Sequence, residues 1–319
     1  MNNFQRWFRR LPKPLKRHKV ITFLITLFPS FQRSELHFNG TGKLIANLAD
    51  SDVRNSFKSA EVEPEFFEIT SPMISDGGIF FDVGANFGWC SFGIYGQRPA
   101  AHIRYFLFEA NPAVFECLKQ SVVLNSAGDF YLTHGCVLDK NGFSILTFSE
   151  VNTGSGYFSG PASQGIPNVV LDQFIAEHQI TTVDLLKIDI EGAEPYALEG
   201  ARVSLSKGII KAIYIEVVAE HLERQGSSPS KIFSVLRESG FTLFWCKPRE
   251  FERYPELKRS SIRIRSNHGS FLVSPLETFP HEAQTDILAL HRDTPLLARL
   301  IDCVGRGAPA ENEVREVAI

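Results

Sequence analysis

Cysteine is scarce in this chain. Its five cysteines, Cys90, Cys117, Cys136, Cys246 and Cys303, are scattered through 319 residues and none falls in a C-x-x-C spacing. That excludes the zinc knuckle or dithiol redox centre that paired cysteines would announce. It fits reduced thiols in a cytoplasmic setting, packed as small hydrophobes. A membrane-spanning run is also missing from the N-terminal segment: the apolar stretch Val20–Phe28 has nine residues, where a bilayer needs about 20. The following Pro29-Ser-Phe-Gln is a poor cleavage site for a secretory signal. Residues 1–34 lack acids altogether but carry eight Lys or Arg; without them the body holds 25 basic against 36 acidic residues, a net of −11 (25 − 36). A body that acidic argues against general nucleic-acid binding, which needs a basic footprint. There is no internal repeat and no long low-complexity run. With 44% hydrophobic and 22% charged residues, the composition is that of an ordinary globular protein of one large or two smaller domains.

The N-terminal segment, residues 1–35, combines Arg6, Arg9, Arg10, Lys13, Lys16, Arg17 and Lys19 with Phe4, Trp7 and Phe8. Such a pattern suits a peripheral contact with an anionic membrane surface, or a packed or frayed helix. Residues 36–78 read as an irregular cap with a helix near Pro64. From Ile79 onward strands alternate with helices: strands at Ile79–Val83, Ile103–Glu109, Phe130–His134, Val183–Ile190 and Ile209–Val218, and helices from Gly88, at Pro112–Leu124, Glu194–Leu205 and Pro229–Ser239. Asn111 precedes Pro112 as an N-cap, with proline in the favoured first turn. The turn at Asn141-Gly142 predicts a hairpin or edge strand over Phe143–Ser149. Residues 150–166, rich in Gly, Ser and Asn, read as a mobile loop. Phe241–Cys246 and Ser270–Val273 read as the last strands, 281–302 as a helix, and the tail after Gly305 as disordered.

This alternation implies an α/β fold, a mainly parallel sheet with helices on both faces. Right-handed crossovers place the strand ends on one edge, and ligands bind in the crevice outside the carboxyl ends. Gly84, Glu109, Asp189 and Glu216 all fall at such ends. The segment Ile79-Phe-Phe-Asp-Val-Gly-Ala-Asn-Phe-Gly88 runs from an apolar strand into a glycine turn, where backbone can approach a ligand closely. Glu109 follows Gly84 by 25 residues, near the distance expected for an acid that accepts from ribose hydroxyls. Two cofactors compete for this cradle. A nicotinamide dinucleotide would favour G-x-G-x-x-G, whereas here the glycines are Gly84 and Gly88, with Asn86 between them. A sulfonium donor, S-adenosyl-L-methionine, carries an ammonium group that Asp82 is placed to meet, and it is the favoured reading. The alternatives are a nicotinamide-dependent oxidoreductase and a non-catalytic nucleoside-binding module.

A second constellation, Leu186-Lys-Ile-Asp-Ile-Glu-Gly-Ala-Glu194, puts a cation among three carboxylates. Strand alternation through it puts Lys187, Asp189 and Glu191 on one face and Ile188 and Ile190 on the other, and Glu194 enters the first turn of the next helix. Methyl transfer to an alcohol needs a base for the hydroxyl proton. Asp189 or Glu191 fills that part, with Lys187 orienting the acceptor oxygen or holding a carboxylate ionised; His221 is a second candidate base. Asp189, Glu191 and Glu216 offer oxygen ligands to Mg²⁺ or Ca²⁺, although no metal is expected.

Phe81-Asp-Val-Gly-Ala-Asn-Phe-Gly88, Phe108-Glu-Ala-Asn-Pro112, Val170-Leu-Asp172 and Asp184-Leu-Leu-Lys-Ile-Asp-Ile-Glu-Gly-Ala-Glu194 occur in the order seen in the FkbM-type methyltransferases, which the chain resembles over roughly residues 75–245. The resemblance implies a Rossmann-like class I fold with a seven-stranded sheet whose last strand is antiparallel. It implies S-adenosyl-L-methionine as cofactor, and O-methylation, often of sugar or polyketide hydroxyls. It places Gly84, Asn86 and Gly88 at the donor's amino-acid part, Glu109 at its ribose and the Val137-Leu-Asp139 turn by the adenine, and Asn111 is counted among the cofactor-binding residues. Asp189, Glu191 and Glu194 then lie at the reaction centre. The family often shows Glu-Pro where this chain has Glu109-Ala-Asn-Pro. Residues 79–275 are accordingly read as the methyltransferase domain and 276–319 as a C-terminal helix and flexible tail. The seven Lys and Arg of residues 247–265, among Phe251, Tyr254 and three acids, suggest a glycan or lipid-linked acceptor assembled at the cytoplasmic membrane face.

Overall fold

The computed structural model describes residues 33–38, 42–50, 64–148, 156–246, 261–266, 269–277, 284–298 and 315–318, together with isolated positions at 23, 27, 51, 53, 54, 56, 62 and 279. The basic segment up to Gln32, apart from Phe23 and Leu27, lies outside these residues, as do 149–155 and Lys247–Ser260.

In chain order the sheet-bearing part begins with β1 (Arg33–Phe38) and β2 (Gly42–Asn47), an antiparallel hairpin. It is followed by α1 (Pro64–Thr70). The helix expected near Pro64 is present, and among the described residues the cap also contains a hairpin where irregular chain was expected. Then come β3 (Ile79–Val83), α2 (Trp89–Gln97), β4 (Arg104–Glu109), α3 (Pro112–Leu124) and β5 (Asp129–His134). An excursion follows: β6 (Cys136–Val137), β7 (Phe143–Thr147), β8 (Tyr157–Ala162) and β9 (Ile166–Val169). The chain returns through α4 (Leu171–Glu177), β10 (Val183–Ile188), α5 (Glu194–Glu199), α6 (Arg202–Ser206), β11 (Ile210–Val218), α7 (Ala219–Arg224), α8 (Pro229–Glu238) and β12 (Phe241–Trp245). The last strands are β13 (Ile262–Ser266), β14 (Gly269–Pro275), β15 (Gln284–His291) and β16 (Arg315–Ala318).

Ten strands form one sheet in the order β16-β13-β14-β12-β15-β11-β10-β3-β4-β5, where seven were expected. From β5 to β11 neighbouring strands are parallel. β15 is antiparallel to both β11 and β12. Every residue of β3 is buried, as a strand covered on both faces requires. On one face α1, α2, α3 and the β1–β2 hairpin pack against Phe80, Tyr105, Leu107, Leu185 and Tyr214. On the other, α4 to α8 pack against Phe81, Phe106, Phe108, Leu186 and Ile213. The hairpin is tied to α3 by the Ile45 N–H, which donates to Ser121 Oγ at 2.8 Å, and by Asn125 Nδ2, which donates to the Lys43 carbonyl at 3.0 Å.

Several sequence expectations need correction. Residues 157–162 are not loop: β8 pairs antiparallel with β7, and β6, β9, β7 and β8 make a separate four-stranded sheet. The helix expected over 194–205 is divided into α5 and α6 around Gly200, where a Cβ would lie 2.3 Å from the Leu138 carbonyl oxygen, so glycine permits the close approach of this wall. Residues 284–291 are a strand, not part of a helix, because they fill the slot between β11 and β12. Arg315–Ala318 pairs parallel with β13, so that stretch of the tail is ordered. Ile262–Ser266, at the end of the basic region, is strand as well. Among the described residues no helix is long and apolar enough to cross a membrane.

Candidate active site

The chain leaves β3 for β4 and β5 on one side, then returns to β10 and β11 on the other. β3 and β10 are neighbours, so the direction of winding switches between them, and a crevice opens there. A pocket of about 320 Å³ occupies it, with Gly84, Glu109, Asp189 and Glu216 all on its wall. The four strand ends singled out from the sequence converge.

The glycine turn is built by close contact. Gly84 has φ +74, and a Cβ there would sit 1.9 Å from the Asp189 carbonyl oxygen. Glycine is the residue that lets the turn after β3 and the turn after β10 touch. Asn86 takes the left-handed region at φ 49, as asparagine tolerates. Glu109 fixes this loop: Oε2 accepts the Asn86 N–H at 2.8 Å and Oε1 accepts the Asn111 N–H at 2.7 Å. Burial pushes the Glu109 carboxyl up, and these backbone donors pull it back down. Each carboxylate oxygen keeps acceptor capacity for a ligand. Asn86 Oδ1 is buried without a hydrogen-bond partner in the structure. Cys136, Val137 and Leu138 form the apolar wall beside Glu109.

Four predicted cofactor contacts, Asp82, Gly88, Asn111 and Asp139, lie off the pocket wall. Asp82 is fully buried and off the pocket wall. Its Oδ2 accepts from Ser91 Oγ at 2.7 Å, and its Oδ1 is 3.7 Å from Lys187 Nζ, beyond hydrogen-bond reach. Burial drives its carboxyl up, opposed by Lys187 and Ser91. Asn111 spends its side chain as the N-cap of α3, Oδ1 accepting from the N–H of Ala113 and Val114. Asp139 likewise stands just past the wall residues rather than among them.

At the other end of the pocket lie the carboxylates. β10 stops at Ile188, so strand alternation does not carry to Glu191; a turn does, with Glu191 at φ 56. Asp189, Glu191 and Lys187 nonetheless reach the same pocket. Lys187 Nζ donates to the Gly84 carbonyl at 2.9 Å and lies 3.2 Å from Asp189 Oδ2. Glu191 is pushed up to about 8, first by burial and then by Asp189 and Glu194, against the pull of Arg224 and Lys187. Glu194 is buried off the wall. Its Oε1 accepts the N–H of Ile190 and of Gly192, both at 3.1 Å, so it shapes the turn rather than facing the pocket. Burial pushes it up to about 7. His221 Nδ1 lies 2.7 Å from Glu191 Oε2, but the atom makes no aligned hydrogen bond. Burial lowers the imidazole and raises the carboxyl, and both shifts work against an ion pair between them. Among the described residues no three His, Cys, Asp or Glu side chains are grouped to hold a metal ion.

Sequence reasoning missed the aromatic side of the pocket: Trp89, Phe148 and Phe158. Trp89 packs edge-on against Phe38 at 5.0 Å. The polar composition around the β7–β8 hairpin concealed the other two. It also gave Asp172 no role, yet Asp172 accepts the N–H of Val203 and Ser204, both at 2.8 Å, and so starts α6.

A parallel sheet with a reversed strand slotted beside its far strand, a glycine turn after the first core strand and an acid ending the second define a Rossmann-like class I methyltransferase, which uses S-adenosyl-L-methionine. Residues 82–243 match the family described as the methyltransferase FkbM domain. The match spans half of the chain, and the chain belongs to that family. No curated protein matches it. Among solved structures it is similar to the FkbM methyltransferase from Methylobacillus flagellatus KT, at 15% identity and a TM-score of 0.41, over 76% of this chain and 53% of that one. The chain thus spans about half the length of that relative. It is also similar to a precorrin-6y C5,15-methyltransferase from Geobacter metallireducens GS-15, at 12% identity and a TM-score of 0.39, over 72% and 89% of the two chains. A TehB-like methyltransferase from Corynebacterium glutamicum follows, at 11% identity and a TM-score of 0.37, over 75% and 94%. The family assignment rests on the match over residues 82–243.

Proposed function

We propose that this enzyme methylates a hydroxyl oxygen of a saccharide or a similar polyhydroxylated acceptor. The observation that carries the reading is Glu191: a carboxyl on the pocket wall, pushed up to about 8, with Asp189 beside it and Glu109 at the opposite end. A base poised near working pH is the kind that assists proton removal from an alcohol.

The pocket's residues fit the cofactor. Glu109 has acceptor capacity for two ribose hydroxyls, the Cys136–Leu138 wall suits a flat adenine, and the turn Gly84–Gly88 with the unpartnered Asn86 Oδ1 suits the amino-acid end. When bound, the cofactor supplies an electrophilic methyl on sulfonium sulfur. The chain's own part is then to hold the acceptor hydroxyl in line and take its proton as the oxygen–carbon bond forms and the sulfur–carbon bond breaks. In this proposal Glu191 receives the proton. Asp189, kept beside the Lys187 ammonium, orients the hydroxyl. Trp89, Phe148 and Phe158 offer flat apolar faces to a sugar ring, and Asp189 and Glu216 offer acceptors to its other hydroxyls.

The test is transfer of labelled methyl from S-adenosyl-L-methionine, at pH 8.5, to separated saccharide, lipid, protein and nucleic-acid fractions of a cell extract. The reading expects label in saccharide or glycolipid, surviving mild alkali as a methyl ether does. Label only in protein or nucleic acid, or released by alkali as from an ester, rejects it. A cytoplasmic enzyme with a peripheral membrane contact through residues 1–34 belongs to the same proposal, supported by the eight basic residues there. Liposome flotation of the full chain against residues 35–319 tests it, and equal recovery with lipid rejects it.

A further inference from the structure

Glu191 and Phe158 belong to segments far apart in the chain, yet both line the pocket, and two consecutive residues at the end of α7 bind both segments. Arg224 Nη2 donates to the Glu191 carbonyl at 3.0 Å, while its guanidinium lies over the Tyr157 ring, 4.4 Å from the centroid. Gln225 Nε2 donates to the Phe158 carbonyl at 2.8 Å. The same helix also presses on the turn from beneath: a Cβ on Gly192 would meet the His221 carbonyl oxygen at 2.4 Å. Glu191 occupies a left-handed conformation that a side-chain-bearing residue keeps only when its surroundings hold it there.

We propose that Arg224 is a positioning residue that clasps the Asp189–Gly192 turn to the β7–β8 hairpin, so that the proton acceptor and the aromatic wall are presented to the acceptor together. A guanidinium suits this task because it stacks on an aromatic face and donates hydrogen bonds in its plane at once. The charged and titratable groups around Glu191 are Asp189 and Glu194 in its own segment, Lys187 on β10, Glu216 across the pocket on β11, and His221 and Arg224 on α7. Arg224 is therefore one of two nearby cations, and its loss changes the ionisation of Glu191 as well as the mobility of the two segments. The inference rests on the reading of Glu191 as proton acceptor, and the experiment keeps the two apart.

Arg224 is exposed, so Arg224→Ala and Arg224→Lys are expected to fold, with thermal melting as the check. Three quantities are measured: amide hydrogen exchange of residues 157–162 and 189–192, the ¹³C titration of the Glu191 carboxyl, and turnover with the accepting extract fraction. Arg224→Ala should speed exchange in both segments together while leaving β3 and β4 unchanged. It should move the Glu191 midpoint upward from about 8 by at least ~0.3 pH units, about a twofold loss of the ionised form at pH 7. It should also lower turnover with affinity for S-adenosylhomocysteine within about twofold. Arg224→Lys should restore the midpoint but not the protection of the hairpin. An unmoved midpoint, or faster exchange in only one of the segments, overturns the clasp. If Glu191→Gln keeps full turnover while the two segments still loosen together, the proton-acceptor reading falls and the clasp stands.

Discussion

Replacing Glu109 by Gln changes one oxygen to an amide nitrogen, and the consequence follows from two distances. Each carboxylate oxygen accepts one backbone N–H, from Asn86 at 2.8 Å and from Asn111 at 2.7 Å. Glutamine has a single acceptor oxygen and an NH₂ group that only donates. Whichever way the amide is turned, one buried backbone N–H faces another donor. Hydrogen bonds to a charged acceptor contribute about 1.5–3 kcal/mol, and a buried donor left unpaired costs about 1–3 kcal/mol. Against this stands the release of a buried charge, which burial already disfavours. A net loss of about 1–2 kcal/mol of folding stability is expected. The loop that slackens is the one carrying Asn86, so affinity for S-adenosylhomocysteine should fall roughly tenfold, which corresponds to about 1.4 kcal/mol. Urea unfolding reports the first quantity, provided the slope of the transition is unchanged; titration calorimetry reports the second. If Glu109→Gln unfolds at the wild-type midpoint and binds the product nucleoside within about twofold of wild type, the account of this carboxylate is wrong.

Glu191→Gln should lower turnover at least about 10²-fold with product-nucleoside affinity almost unchanged, and the wild-type rate should climb through about pH 8; a rate flat across that range contradicts the assignment. Glu194 binds its proton more tightly in the fold, with a value raised from 4.5 to about 7. The stability it contributes is therefore present below the unfolded value and lost as pH rises from 4.5 to about 7, by about 3 kcal/mol at most. Glu194→Gln should flatten that dependence, read from denaturant midpoints between pH 5 and 9; a profile parallel to wild type refutes it. Gly84→Ala places a methyl group 1.9 Å from the Asp189 carbonyl oxygen at φ +74. It should cost about 2–4 kcal/mol from strain and overpacking, and an unaltered melting temperature would show that the two turns do not touch.

Much of the core was readable because its signals are local. The run Ile79–Val83, the glycine after it and the acid closing β4 announce a strand, a turn and a second strand without reference to the rest of the molecule. Asn111-Pro112 likewise gave the start of α3. What escaped depended on partners distant in sequence. Gln284–His291 has an apolar pattern compatible with a helix; only the open slot between β11 and β12 makes it a strand. Tyr157–Ala162 contains Gly160 and Pro161, turn residues by composition, yet pairing with β7 decides its conformation. In the site, residue identity was more legible than residue direction. Asp82 and Glu194 were noticed as acids near the crevice, but burial turns one toward Ser91 and Lys187 and the other toward the N–H groups of Ile190 and Gly192. Arg224 had no spacing signal, because its two contacts, Glu191 and Tyr157, lie 33 and 67 residues before it in the chain.

The placing of β15 has a bearing on how the protein is made. β11, which carries Glu216, is complete in the growing chain long before residues 284–291 leave the ribosome, and until then β11 and β12 both lack the neighbour that β15 supplies between them. Both would present unpaired backbone along an apolar edge, a template for sticking to other chains. A chain ended at Pro275 should sediment as aggregate even though every residue of the pocket is present, and supplying residues 276–298 should restore it to the supernatant.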